Sequence, residues 1–71
     1  MNKYATGNNV KRHVKMQHRT LDGLADDIGV GHDTMSKWVN GRRQVTAYGL
    51  YRISKALGVT MEELMEGVED G

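Results

Sequence analysis

The sequence predicts an all-α domain of five short helices, and three observations carry that expectation. Apolar residues recur at spacings of three and four through most of the chain, the period of a helix with one buried face. Threonines 20, 46 and 60 each stand just before such a pattern, where a hydroxyl can take up a free N–H of a helix's first turn. Glycines 29 and 58 stand at the ends of two patterns, because glycine accepts the backbone angles that close a helix.

The first helix is expected over Asn9–Gln17, with Gly7-Asn8-Asn9 as its start and residues 1–8 as a loose N-terminal arm. Val10 and Val14 form its apolar pair, supported by Met16 or Gln17, while Lys11, Arg12 and Lys15 point outward. His13 is expected to be half-buried with one ring nitrogen hydrogen-bonded. The second helix follows the Thr20 cap, and Leu21, Leu24, Ala25 and Ile28 define its buried face. Gly23 inside it costs about 1 kcal/mol relative to alanine. Gly29-Val30-Gly31 breaks the pattern, and Met35, Trp38 and Val39 resume it. That leaves His32, Asp33, Thr34, Ser36 and Lys37 mostly on the solvent side. Two short helices across a tight glycine corner, the second with an apolar back and a polar front, have the geometry of a helix-turn-helix.

Arg42-Arg43-Gln44 forms a basic loop behind that motif. Thr46 then caps a fourth helix, with Val45 and Leu50 as a hydrophobic staple and Leu50, Ile53, Ala56 and Leu57 as its buried stripe, Tyr51 beside it. Thr60-x-x-Glu63 is a capping box for a short fifth helix, stapled by Val59 and Leu64. Residues 67–71 are expected to be a loose acidic tail, so that 1–71 makes a single helix-turn-helix domain.

The stretch LADDIGVGHDTMSKWVNG resembles the lambda-repressor-like helix-turn-helix family of phage repressors and Cro proteins, and RRQVTAYGLYRISKALGVTMEEL matches that family's later helices. The resemblance covers roughly Val10 to Met65. It rests on the order and spacing of Leu24-Ala25, Gly29-Val30, Trp38, Gly41, Ala56-Leu57-Gly58-Val59 and Glu63-Leu64. It implies a compact five-helix DNA-binding domain whose third helix enters the major groove. It also implies an arm before the first helix that can touch DNA, for which Lys3 and Tyr4 are the candidates, although a frayed terminus is the expectation. Two departures stand out. The family usually opens its second helix with a glutamine that braces the first residue of the third, and here that place holds Leu21. It often pairs an arginine of the first helix with a glutamate directly after the tryptophan, and here those places hold Val14 and Val39. Both are apolar together, which avoids one buried, unpaired charge.

Seventy-one residues make one domain near the lower size at which a single core suffices. There is no cysteine, so neither a disulfide framework nor a thiolate metal site is available. The start MNKYATGNN lacks the apolar core of a signal peptide, and no apolar run is long enough to span a membrane. The expected setting is the cytoplasm of a bacterial host, at the nucleoid. A net charge of +1 hides a division: residues 1–60 hold all ten Lys and Arg against four Asp, or +6, and the last eleven residues hold five acids and no base. A basic DNA-facing body and an acidic tail held away from phosphate follow from that division.

For a protein that binds duplex DNA, phosphates supply most of the affinity and base edges the specificity. The phosphate candidates are Asn40, Arg42, Arg43 and Thr46, with the helix start at Thr20 adding backbone N–H groups. The base-reading candidates are His32, Asp33, Thr34 and Lys37. His32 and Lys37 suit guanine, His32 also adenine, Asp33 cytosine N4 and Thr34 the thymine methyl. A helix-start role accounts for Asp33 equally well.

Enzymatic readings find no support: His13, His18 and His32 lack metal-ligand spacing, there is no P-loop or HExxH, and no cofactor is implied. A rival class is a protein-interaction module on the same fold, an antirepressor or antitoxin that binds another regulator, such as one of a phage. Met61, Met65 and Val68 are the expected pairing surface of a weak homodimer completed on operator DNA, with Leu64 committed to the staple.

Overall fold

The computed structural model describes residues 4–68. Among them five helices follow in order: α1 Ala5–Met16, α2 Leu21–Ile28, α3 His32–Val39, α4 Ala47–Leu57 and α5 Met61–Leu64, with no strand. The three threonine caps form as expected. Thr20, Thr46 and Thr60 each accept through Oγ1 from the backbone N–H three residues on, in Gly23 (3.0 Å), Gly49 (2.9 Å) and Glu63 (3.0 Å). Such a cap contributes about 1 kcal/mol to its helix. Gly29 and Gly58 end α2 and α4 with φ of 76° and 69°, the left-handed region where a side chain would be strained.

The core gathers one face from every helix. Val10, Leu24, Met35, Ile53 and Leu64 are fully buried, and Val14, Ala25, Ile28, Trp38, Val39, Leu50 and Leu57 complete the cluster. Burial of each large side chain is worth about 1.5–3 kcal/mol relative to leaving it exposed. Helix α1 touches all four other helices and so closes the bundle.

Side chains from α1 and the turn after it also satisfy carbonyls at the ends of α4 and α5, which lack partners in their own helices. The Asn9 amide donates to Leu64 O (2.8 Å) and Glu66 O (2.7 Å). The Gln17 amide donates to Leu57 O (2.7 Å). Arg19 donates to Ala56 O (2.7 Å) and pairs with Asp27.

Several boundaries differ from the sequence reading. Helix α1 begins at Ala5, four residues before the expected start, so Ala5–Asn8 are helix and not arm. The reason is tertiary. Ala5 and Gly7 are buried, and a Cβ built on Gly7 would lie 2.2 Å from the carbonyl oxygen of Val39, so glycine alone lets α1 approach the end of α3 this closely. Asn9, read as part of a helix start, sits inside the helix and spends its amide on α5. Tyr4 is the exposed N-cap, and Lys3 lies outside the described residues. At the other end Met16 is exposed and gives Val10 and Val14 no support. His13 is half-buried as expected, but its buried Nε2 has no hydrogen-bond partner among the described residues. Gly67 and Val68, expected in the loose tail, continue a turn: Val68 N–H donates to Met65 O (3.0 Å), and Gly67 lies beside Ala5. Residues 69–71 lie outside the described ones.

Candidate nucleic-acid interface

Helix α2, the Gly29–Gly31 corner and α3 form the expected helix-turn-helix. The corner closes because Gly29 takes the left-handed conformation and Val30 N–H reaches back to Ala25 O (3.0 Å). Met35, Trp38 and Val39 anchor α3 from behind, and the Trp38 ring lies so near α4 that a Cβ on Gly49 would meet its Cη2 at 2.7 Å. That anchoring leaves His32, Asp33, Ser36 and Lys37 exposed on the front of α3, with Thr34 half-buried at the edge.

The front of α3 is internally paired. His32 Nε2 lies 2.9 Å from Asp26 Oδ1, and Nδ1 lies 3.6 Å from Asp22 Oδ1. Both carboxylates come from α2, one turn apart on the same face. The hydrogen bond that His32 donates to Asp26 and the charge of Asp22 raise the His32 pKa above its ordinary value of 6.5, against an opposing effect of desolvation. A raised value means that the pair's contribution to folding is present below pH 6.5 and is lost as the pH rises through the shifted value. That contribution is small, because all three groups face solvent. Lys37 stands 3.9 Å from Asp33 one turn earlier on α3, so Asp33 has a partner on its own helix.

These pairs revise the reading of the motif. Leu21 cannot brace α3 by hydrogen bonding and instead packs against the core, and it is Asp26 that lies within hydrogen-bond distance of His32, with the charge of Asp22 nearby. The sequence held a signal for this, two aspartates at i and i+4 on α2 with a histidine six residues beyond the second, across a glycine corner.

The phosphate candidates are accessible. Arg42 and Arg43 are exposed, and their backbone N–H groups both return to Lys37 O (2.9 and 3.3 Å), which fixes the loop at the end of α3. Asn40 is the C-cap of α3 and donates to Ser36 Oγ (3.3 Å). Thr20 and Thr46 use a lone pair of their hydroxyls for the cap, which leaves each O–H able to donate outward to an anion. Among the pairing candidates, Met65 is exposed, whereas Val68 is half-buried and Met61 packs partly against the core.

A second exposed surface escaped the sequence reading. On α4, Arg52 lies over the Tyr48 ring (5.6 Å) and Lys55 over the Tyr51 ring (5.4 Å), each pair spaced i,i+4. They border a shallow groove with Asp27, Ile28 and Ala56. Among the described residues no group of His, Cys, Asp or Glu is arranged to hold a metal ion, and no helix is long and apolar enough to cross a membrane.

No curated protein matches the chain. The family model described as the Cro/C1-type HTH DNA-binding domain matches residues 8–70. That span takes in the helix-turn-helix, the basic loop, α4 and α5, together with α1 from its fourth residue on. With five helices in the expected order and an exposed polar front on the second helix of the motif, the chain belongs to the Cro/C1-type helix-turn-helix DNA-binding domains, the kind of domain found in DNA-binding regulators.

Proposed function

We propose that this chain is a phage-type repressor or Cro-like protein that reads operator DNA in the major groove through α3. The observation that carries the reading is the polar front of α3, exposed between the threonine-capped starts of α2 and α4 and followed by the Arg42–Arg43 loop. Lys37 and Thr34 take base edges, with Asp33 steering the Lys37 ammonium. Thr20, Asn40, Arg42, Arg43 and Thr46 hold phosphates on either side. His32 contributes through its charge.

Readout and anchoring separate experimentally. Lys37→Ala is expected to weaken binding by about 1–3 kcal/mol, mostly at one base position. Arg43→Ala is expected to weaken all sequences alike and to lower the slope of log K against log salt by about one. Titrations of duplexes enriched from a random pool, at two or more salt concentrations, measure both. Equal, sequence-blind losses in the two variants reject the assignment of roles.

One module contacts few base pairs, and pairing on two half-sites is the usual route to specificity for this motif. We place the pairing surface at the end of α5, where Met65 is exposed and Val68 adjoins it, Met61 being partly used by the core. Met65→Ser is expected to leave thermal stability near that of the parent and to remove cooperative occupancy of a two-site duplex. Unchanged cooperativity moves the surface elsewhere.

Three carboxylates at the front, Asp22, Asp26 and Asp33, favour a second reading, an antirepressor or antitoxin that binds another regulator. A gel shift against the DNA upstream of its own gene, at two salt concentrations, decides between them. Binding with a steep salt slope supports the DNA reader. No binding, together with co-purification of a neighbouring gene's product, supports the rival.

A further inference from the structure

The base-reading role of α3, on which this inference rests, puts the His32 clasp where DNA would lie. Each ring nitrogen of His32 faces a different carboxylate, Nε2 that of Asp26 (2.9 Å) and Nδ1 that of Asp22 (3.6 Å). A neutral imidazole has one N–H and one lone pair. In the neutral form, then, one carboxylate faces a lone pair and is repelled. Only the imidazolium can donate to Asp26 and at the same time present positive charge, not a lone pair, to Asp22. In that pose Nε2 is committed to Asp26 and Nδ1 faces Asp22, so His32 acts through charge and through the position it gives the first turn of α3.

The surrounding charge sets the sign of the effect. Among the described residues the ion-pair partners of His32 come from α2 alone, and the charged groups of α3 itself are Asp33 and Lys37. Helix α1, which also packs on α3, makes its close approach with Gly7 at Val39, at the far end. With His32 neutral, Asp22, Asp26 and Asp33 outnumber Lys37, and the front is negative by two charges; with His32 protonated it is negative by one. Phosphates brought against this front disfavour the more negative form. Desolvation under DNA acts on the histidine in the opposite direction, but its two carboxylates are desolvated with it, and unneutralised carboxylates suffer more.

We propose that Asp22 and Asp26 are positioning residues that favour the imidazolium form of His32 at the start of the reading helix, and that a chain whose His32 is neutral takes up one proton from solvent at that ring when it binds DNA.

By linkage, a group that takes up a proton on binding makes affinity fall as the pH rises, by at most about tenfold per pH unit for one proton. The probe is a duplex enriched from a random pool by the wild-type chain at pH 6, titrated between pH 5.5 and 8.5 at constant salt. The wild type should lose affinity toward alkaline pH. His32→Gln should be nearly flat. Asp26→Asn should move the loss to lower pH, and Asp26→Glu should restore it toward the wild-type position. Asp27→Asn, whose carboxylate pairs with Arg19, should leave the profile unchanged. A sloped profile that persists in His32→Gln, or a flat wild-type profile with salt-dependent binding intact, overturns the inference and leaves the DNA reading standing. Enrichment of no duplex at any pH overturns both. In that case an NMR titration of the His32 ring in wild type and Asp26→Asn still tells whether the clasp itself forms.

Discussion

Val39→Glu is expected to destabilise the domain by about 3–5 kcal/mol, the cost of an uncompensated charge in a core. Val39 is the last residue of α3 and is almost wholly buried, in the same cluster as Val14 of α1. A carboxylate there loses water, has no cation to meet, and stands at the negative end of the α3 dipole. The loss should lessen at acid pH, because a buried carboxyl has a raised pKa and folds more readily when neutral. Members of the family often hold an arginine and a glutamate at these two places, so Val14→Arg added to Val39→Glu should recover a good part of the loss. Urea denaturation of the parent, both single variants and the double variant measures the coupling. A coupling near zero means that the two side chains do not meet, although both are buried.

The parts of this fold that were legible in the sequence are those set by local chemistry. Thr20, Thr46 and Thr60 cap helices because a hydroxyl three residues before a free N–H meets it whatever the rest of the chain does. Gly29 and Gly58 end helices for an equally local reason, and the core stripes of α2, α3 and α4 follow from spacing alone. What escaped is held by contacts between residues far apart in the chain. Asn9 reads locally as a helix start, yet the end of α5, 55 residues away, draws its amide into the middle of α1. Gly7 reads locally as the edge of a helix start, yet it is buried within the helix against Val39. The candidate site divides the same way. Its exposed polar front was visible as the face opposite Met35 and Trp38, whereas the use of Asp22 and Asp26 to hold His32 depends on the angle between two helices, which spacing does not state.

Gly7→Ala is expected to destabilise by about 2–3 kcal/mol, in the range of overpacked cores, even though alanine favours a helix by about 1 kcal/mol over glycine. The added Cβ would lie 2.2 Å from the Val39 carbonyl oxygen and 2.7 Å from its carbonyl carbon and Cα. These are backbone atoms at the end of α3 and cannot turn aside as a side chain does. Relief requires α1 to lift from α3, which loosens the packing around Ala5 and strains the bonds from Asn9 to Leu64 and Glu66. Gly23→Ala is the control, a helical glycine whose Cβ would meet only the cap oxygen of Thr20, at 3.0 Å. There the helix gain of about 1 kcal/mol and a weakened cap of similar size should nearly cancel. Denaturation midpoints of the two variants, compared at equal m-value, test the contrast. Equal stability of Gly7→Ala and Gly23→Ala would show that α1 can start later than Ala5 without loss, as the local sequence pattern alone suggests.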